Sequence, residues 1–202
     1  MNIAIVGHGP SMVGSKLGET IDGNDVVIRL KRMIHLLKDK EDFGSRYDIG
    51  AGSLRILPMM KEMLQTAELK VPLMCLFDSR DKQLDQAQVN NVLAQCQPYE
   101  VYADRELCDE LDKLYMVEVD KDLDFEAVTH TSQGTKAAWL TANSFPRSTI
   151  NLYGFDNVRD GTFNWSLTRG PEWDKYPNHR WDIEHRMIPM IAQMTGSKIN
   201  VH

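Results

Sequence analysis

Twice in this chain a short strand-forming run ends abruptly in glycine, and those two junctions restrict the fold more than anything else in the sequence. Ile3-Ala4-Ile5-Val6 runs into Gly7, and Thr149-Ile150-Asn151-Leu152-Tyr153 runs into Gly154. Between them, further strand-like runs (Val26–Leu30, Pro72–Phe77, Tyr99–Tyr102) alternate with amphipathic stretches of helical length at Met59–Leu69, Lys82–Gln95, Arg105–Tyr115 and Gln133–Ser144. A last helical stretch covers Asp182–Met194. Such alternation predicts an α/β domain, a mostly parallel sheet flanked by helices, which binds ligands at the loops that follow its strands. The 202 residues suit one domain, without internal repeat or low-complexity tract.

Charge narrows the partners. Lys and Arg number 23 against 29 Asp and Glu, a net charge of −6, so a generic polyanion binder is excluded. Residues 56–146 hold 8 basic and 16 acidic side chains and carry the excess, which leaves the terminal thirds better suited to a phosphate-bearing ligand. Cys75, Cys96 and Cys108 show neither C-x-x-C spacing nor a histidine pattern for zinc and read as free thiols. No apolar run is long enough to span a bilayer, and the N-terminus lacks a basic n-region, so the expected location is the cytoplasm, without membrane contact.

After the first strand comes Gly7-His8-Gly9-Pro10-Ser11-Met12-Val13-Gly14. Glycines there let backbone N–H groups approach an anion, and a helix start adds a positive dipole end. A nicotinamide site needs G-x-G-x-x-G and an acid closing the second strand. Here the third glycine falls two residues late and the second strand ends Arg29-Leu30-Lys31-Arg32, which points to phosphate and away from NAD. Gly7, His8, Gly9, Ser11, Arg29 and Lys31 are therefore candidate ligand contacts.

A second anion seat is expected at His130-Thr131-Ser132-Gln133-Gly134, where Thr131 or Ser132 caps the following helix and Gly134 leaves its first turn unobstructed. Further on, His179-Arg180-Trp181-Asp182-Ile183-Glu184 places an imidazole, suited to accepting a proton near neutral pH, five residues ahead of a carboxylate that can fold back toward it. His185 is a backup candidate. Asp120-Lys121-Asp122-Leu123-Asp124 offers two overlapping D-x-D patterns, which would suit a divalent metal and a UDP-sugar.

Taken in order, these segments resemble the sialyltransferases of glycosyltransferase family 29. Residues 6–48, from Val6-Gly7-His8-Gly9-Pro10-Ser11 through Asp25-Val26-Val27-Ile28-Arg29 to Phe43-Gly44-Ser45-Arg46-Tyr47-Asp48, look like the large sialyl motif. Residues 130–156, ending Leu152-Tyr153-Gly154-Phe155-Asp156, resemble the small motif, and residues 179–184 the very short one. The resemblance implies a single Rossmann-like domain of a GT-A-like variant over residues 1–202. It also implies a CMP-sugar as co-substrate without a further cofactor or metal, and inverting transfer with His179 as the base. Thr131, Ser132, Gly134 and Gly154 would line the donor, and Glu184 would orient the histidine loop.

The chain departs from the family in three respects. His8 and Lys31 stand where asparagines are usual, Glu172-Trp173-Asp174 is a weak echo of a further motif, and neither sialyl segment has a cysteine. Such a short form, without cysteine in either sialyl segment, is similar to the hydroxymethylcytosine arabinosyltransferases of T-even-type phages, which would act on DNA in the host cytoplasm. A glycan acceptor stands beside it as the alternative. For DNA, Arg147, Arg159, Arg169, Lys175, Arg180 and Arg186 are expected around the base, with Trp165, Trp173 and Trp181 available for stacking. The metal-dependent UDP-sugar transferase and a non-catalytic nucleotide-binding module remain as rivals.

Overall fold

The computed structural model describes residues 1–31, 33–78, 81, 83–119, 131–160 and 180–202. Strand β1 (Asn2–Val6) is followed by a 3-10 turn (Pro10–Met12), helix α1 (Gly18–Asp22), β2 (Val26–Leu30), a second 3-10 turn (Met33–Leu36), α2 (Lys40–Phe43) and β3 (Ile49–Gly52). Then come α3 (Leu57–Thr66), β4 (Leu73–Cys75), α4 (Gln86–Gln95), β5 (Val101–Ala103) and α5 (Arg105–Val119). The remaining elements are α6 (Gln133–Ser144), β6 (Thr149–Tyr153), α7 (Asp156–Asp160), α8 (Trp181–Thr195) and β7 (Lys198–Val201).

Among the described residues the strands form one sheet in the order β5-β4-β3-β2-β1-β6-β7, and every neighbouring pair is parallel. The chain winds outward from β1 to β5 and restarts with β6 on the other side of β1. The reversal therefore falls between β1 and β6, where Val6 sits opposite Tyr153, and a doubly wound sheet opens its ligand crevice beyond such a point. These are the two strands whose apolar runs lead into Gly7 and Gly154.

Burial explains why β1 reads as an unbroken apolar run: a parallel strand is covered on both faces. Ile3 and Ile5 join the larger core cluster with Leu140 of α6 and Met187 and Ile191 of α8. Ala4 and Val6 point the other way, into a smaller cluster with Met12, Ile21 of α1 and Phe43 of α2. Cys75, Cys96 and Cys108 are buried free thiols, and burial pushes the Cys108 thiol up to about 12. Among the described residues no helix is long and apolar enough to cross a membrane.

The structure adds two strands that the pattern does not announce. Strand β3 is Ile-Gly-Ala-Gly, too small and glycine-rich to look like a strand, and β7 is a short edge strand that stays partly exposed. Helix α4 starts at Gln86 instead of Lys82 because Asp85 builds a capping box. Its carboxylate accepts the Gln88 N–H at 2.8 Å, while its own N–H donates to Gln88 Oε1 at 2.9 Å.

Candidate functional site

The loop after β1 is pinned to the loop after β6. Gly7 N donates to Tyr153 O at 2.8 Å and Gly9 N to Gly154 O at 2.9 Å. Ser11 donates its N–H to the Asp156 carboxylate at 2.9 Å and its hydroxyl to the other carboxylate oxygen. The glycines permit this approach. A Cβ on Gly7 would stand 2.8 Å from Gly154 O, one on Gly9 would stand 2.7 Å from the Asp156 carboxyl, and Gly154 has a φ of 68°. This corrects the expectation of N–H groups open to a phosphate: Tyr153, Gly154 and Asp156 already take those of Gly7, Gly9 and Ser11. His8 sits partly buried between them.

Carboxylates tie down the rest of the large motif as well. Asp42 accepts the N–H groups of Gly14 (2.5 Å) and Lys16 (2.9 Å), which hold its carboxyl below the usual range. Asp22 accepts those of Ser45 (2.7 Å) and Arg46 (2.9 Å). Arg29, expected to face the ligand, is turned into the interior and fully buried. Its Nε donates to Arg46 O at 2.6 Å and its Nη2 to Phe43 O at 2.8 Å, beside Asp22, and burial draws its pKa down to about 10. The side chain is a strut under the motif, because a strand residue buried on both faces has no route to the crevice. Lys31, two residues on, lies at the rim of the sheet with a φ of 52°, a left-handed conformation that costs a residue with a Cβ about 1–2 kcal/mol.

The turn before α6 is built differently. Two buried carboxylates reach it from two helices. Asp112 of α5 accepts both the N–H (2.9 Å) and the hydroxyl (3.0 Å) of Thr131. Glu184 of α8 accepts the Ser132 N–H at 2.9 Å and the Thr135 hydroxyl. Ser132 caps the helix as its sequence predicts, accepting the Thr135 N–H at 3.2 Å. Asp112 is itself paired with Lys136, whose Nζ lies 2.9 Å from its second oxygen and also donates to Phe77 O at 2.7 Å, all fully buried. Among the described residues no acceptor meets the N–H groups of Gln133 and Gly134. That leaves two open donors at the positive end of a twelve-residue helix.

Phe155 joins the two structures. A Cβ on Gly134 would meet its ring at 2.7 Å and one on Gly7 would meet it at 3.2 Å, so the ring fills the space between the β1 loop, the β6 loop and the start of α6. Burial raises the Glu184 carboxyl to about 7, against the opposing pull of its bonds to Ser132 and Thr135 and of the nearby Lys136. Arg180 N donates to the Tyr115 hydroxyl at 3.2 Å, which anchors the residue that follows His179 in the sequence.

His179, His130, Arg32, Asp120–Asp124, Trp165, Trp173, Arg169 and Lys175 lie outside the described residues. Of the basic residues expected around the base, Arg147 belongs elsewhere. It precedes β6 and lies beside Gly196, at the far end of α8 and about 20 Å from that helix's start at a rise of 1.5 Å per residue. Arg180 and Arg186 both face Asp182, at 2.7 and 4.0 Å. Trp181 packs against the core, and His185 Nδ1 lies 2.7 Å from Val158 O, so neither side chain stands free over the crevice. His202, exposed just after β7, stacks on Tyr153 with ring centroids 4.5 Å apart.

Asp112, Lys136 and Asp156 were missed from the sequence. Asp112 carried a readable sign, since it shares the helical stripe of Cys108, Leu111 and Tyr115, all buried, and a carboxylate there must find partners inside.

No family model matches the chain, and no curated protein matches it. Solved structures do. The chain is similar to the sialyltransferase CstII from Campylobacter jejuni in complex with CMP, at 16% identity over 99% of this chain and 79% of that one, with a TM-score of 0.65. The sialyltransferase CST-II in complex with a trisaccharide acceptor and CMP matches at 14% identity over 100% and 80%, with a TM-score of 0.63. A mammalian sialyltransferase matches at 15% identity over 98% and 68%, with a TM-score of 0.56. At these identities it is the architecture that is shared: the chain has the α/β fold of the sialyltransferases.

Proposed function

We propose that this chain is a glycosyltransferase that moves a sugar from a CMP-sugar to an acceptor hydroxyl, with inversion and without a metal. One observation carries the reading. The β1 loop, the β6 loop and the start of α6 converge on Phe155 at the switch point of the sheet, the crevice where doubly wound folds hold nucleotides. CstII, which shares the fold, was solved with CMP bound.

The donor phosphate is assigned to the open N–H groups of Gln133 and Gly134. The backbone of Gly7, His8, Gly9, Ser11 and Gly154, with Thr131 and Ser132 opposite, forms the wall, and Lys31 contributes positive charge from the rim. His179 accepts the proton of the acceptor hydroxyl as its oxygen bonds to the anomeric carbon. The bond from that carbon to the phosphate breaks at the same time, and its electron pair leaves with CMP. Helix-end N–H groups stabilise the departing phosphate electrostatically. Glu184 holds the turn that presents them.

For the acceptor we propose the hydroxymethyl group of hydroxymethylcytosine in DNA, with arabinose as the transferred sugar. The support is the resemblance of these motif segments, neither sialyl one of which contains a cysteine, to phage enzymes of that kind. A glycan is the second reading, favoured by the trisaccharide acceptor held beside CMP in CST-II.

Calorimetric titration with CMP and UDP, each with and without EDTA, tests the donor. CMP binding indifferent to EDTA supports the proposal and leads to CMP-sugars assayed against hydroxymethylated DNA and glycans. UDP binding that requires a metal moves the chemistry to Asp120–Asp124 and overturns it. His179→Ala is expected to lower turnover at least ~100-fold while CMP affinity stays intact. CMP binding without turnover of any donor leaves a nucleotide-binding module.

A further inference from the structure

The buried ion pair between α5 and α6 lies behind the turn just assigned to the donor phosphate, and neither partner faces the crevice. Lys136 and Asp112 are 0% and 1% exposed. Ion pairs this deep are seldom retained for stability alone, because desolvating two charges offsets most of their attraction. Here the carboxylate also holds a third residue, since the oxygen that does not face Lys136 receives both donors of Thr131. Thr131 and Ser132 are consecutive, and their N–H groups are taken by carboxylates from different helices, Asp112 on one and Glu184 on the other. The direction of α6 at its first turn, and with it the aim of the open Gln133 and Gly134 N–H groups, is fixed from both sides.

We infer that Asp112 is a positioning residue for the donor: held by Lys136, which Phe77 O in turn anchors, it sets Thr131 and thereby aims the α6 start at the donor phosphate. This rests on the proposed donor site. Glu184, named above from the short motif, is its counterpart, whereas Asp112 lies outside all three motif segments. If Asp112 acts through Thr131, what matters at its position is an acceptor oxygen and not the charge itself.

Two double variants separate the acceptor from the charge. Asp112→Asn with Lys136→Met removes the ion pair but keeps an oxygen able to accept from Thr131, whereas Asp112→Ala with Lys136→Met removes both. Both lose the same charges, and folding of each is checked by circular dichroism and thermal unfolding. CMP affinity is measured by calorimetry, and KM for the donor is compared with kcat. The expected result is that the alanine variant binds CMP at least tenfold more weakly than the asparagine variant, with a raised donor KM and a kcat within threefold. Equal CMP affinity in the two variants overturns the role, as does an alanine variant that loses kcat with KM unchanged. An alanine variant that fails to fold where the asparagine variant folds and binds makes the carboxylate a purely structural support, which also overturns it. A wild-type chain that binds no CMP overturns the donor site itself, and this role with it.

Discussion

The loop after β1 and the turn before α6 look alike in sequence, each a glycine-bearing segment at the mouth of the sheet. In three dimensions they are opposites. In the loop, the N–H groups of Gly7, Gly9 and Ser11 are consumed by Tyr153 O, Gly154 O and the Asp156 carboxylate. At the turn, buried carboxylates grip the residues before the helix, Thr131 and Ser132, and leave the first two helical N–H groups open. Glycine in the loop marks backbone packed against backbone. At the turn, the open donors come from the helix start, and Gly134 is small because Phe155 lies against it. A glycine-rich loop is therefore a weaker sign of an anion seat than a well-capped helix whose cap is held from behind.

The largest effect is expected from filling the loop. In Gly7→Ala the new methyl would sit 2.8 Å from the Gly154 carbonyl, a backbone atom that cannot move without disturbing β6. The loss should reach about 3 kcal/mol, the upper end for overpacking. Gly14→Ala meets nothing within 4 Å, and only its φ of 74° opposes a side chain, so its cost is about 1 kcal/mol. Urea unfolding of both variants reads the difference. Equal losses would mean that conformational freedom, not contact, explains the glycines, and the contrast between the two regions would collapse.

How far the sequence could be read follows the same division. Strands such as Val26–Leu30 and Thr149–Tyr153, and the helix Gln133–Ser144, are recovered to the residue because apolar periodicity and a serine cap are local signals. Strands β3 and β7 escape because one is mostly glycine and alanine and the other is a partly exposed edge, so neither displays the pattern of a buried strand. At the site, the sequence locates the three segments but not what occupies their donors. That Asp156 fills the Ser11 seat, that Arg29 points inward and that Asp112 reaches Thr131 are all pairings between residues distant in the chain, and only the fold brings them together.

The turn can be probed through the titration of its own support. Glu184 has an ordinary carboxyl pKa of 4.5 when unfolded and about 7 in the folded protein, raised chiefly by burial. Between those values the folded state binds the proton and the unfolded state does not, so stability falls as pH rises from 4.5 to 7 and levels off above. The change amounts to at most about 3 kcal/mol, from 1.36 kcal/mol per pKa unit. Glu184→Gln mimics the protonated acid and should lack this dependence. Unfolding at about pH 5 and about pH 8, on either side of the folded value, is therefore expected to show the wild type losing stability relative to the variant. A difference independent of pH would show that Glu184 is not a buried acid, and the turn would lose the feature that sets it apart from the loop.

The smallest effect is also the sharpest test of the comparison. Gln133 is the first residue of α6, a position where proline is tolerated because its missing N–H has no helical acceptor to lose. The preceding Ser132 has φ −64° and ψ 159°, the extended conformation that a following proline requires. Gln133→Pro thus deletes one of the two open donors and leaves the helix intact. It should weaken CMP binding about tenfold, or about 1.4 kcal/mol, with Tm unchanged. Ser11→Ala is its counterpart in the loop: the lost hydroxyl was already spent on Asp156, so CMP affinity should change less than about threefold, or ~0.6 kcal/mol. If the order reverses, with Ser11→Ala the more damaging to binding, the phosphate belongs to the β1 loop. Asp156 must then give up Ser11 when the nucleotide arrives.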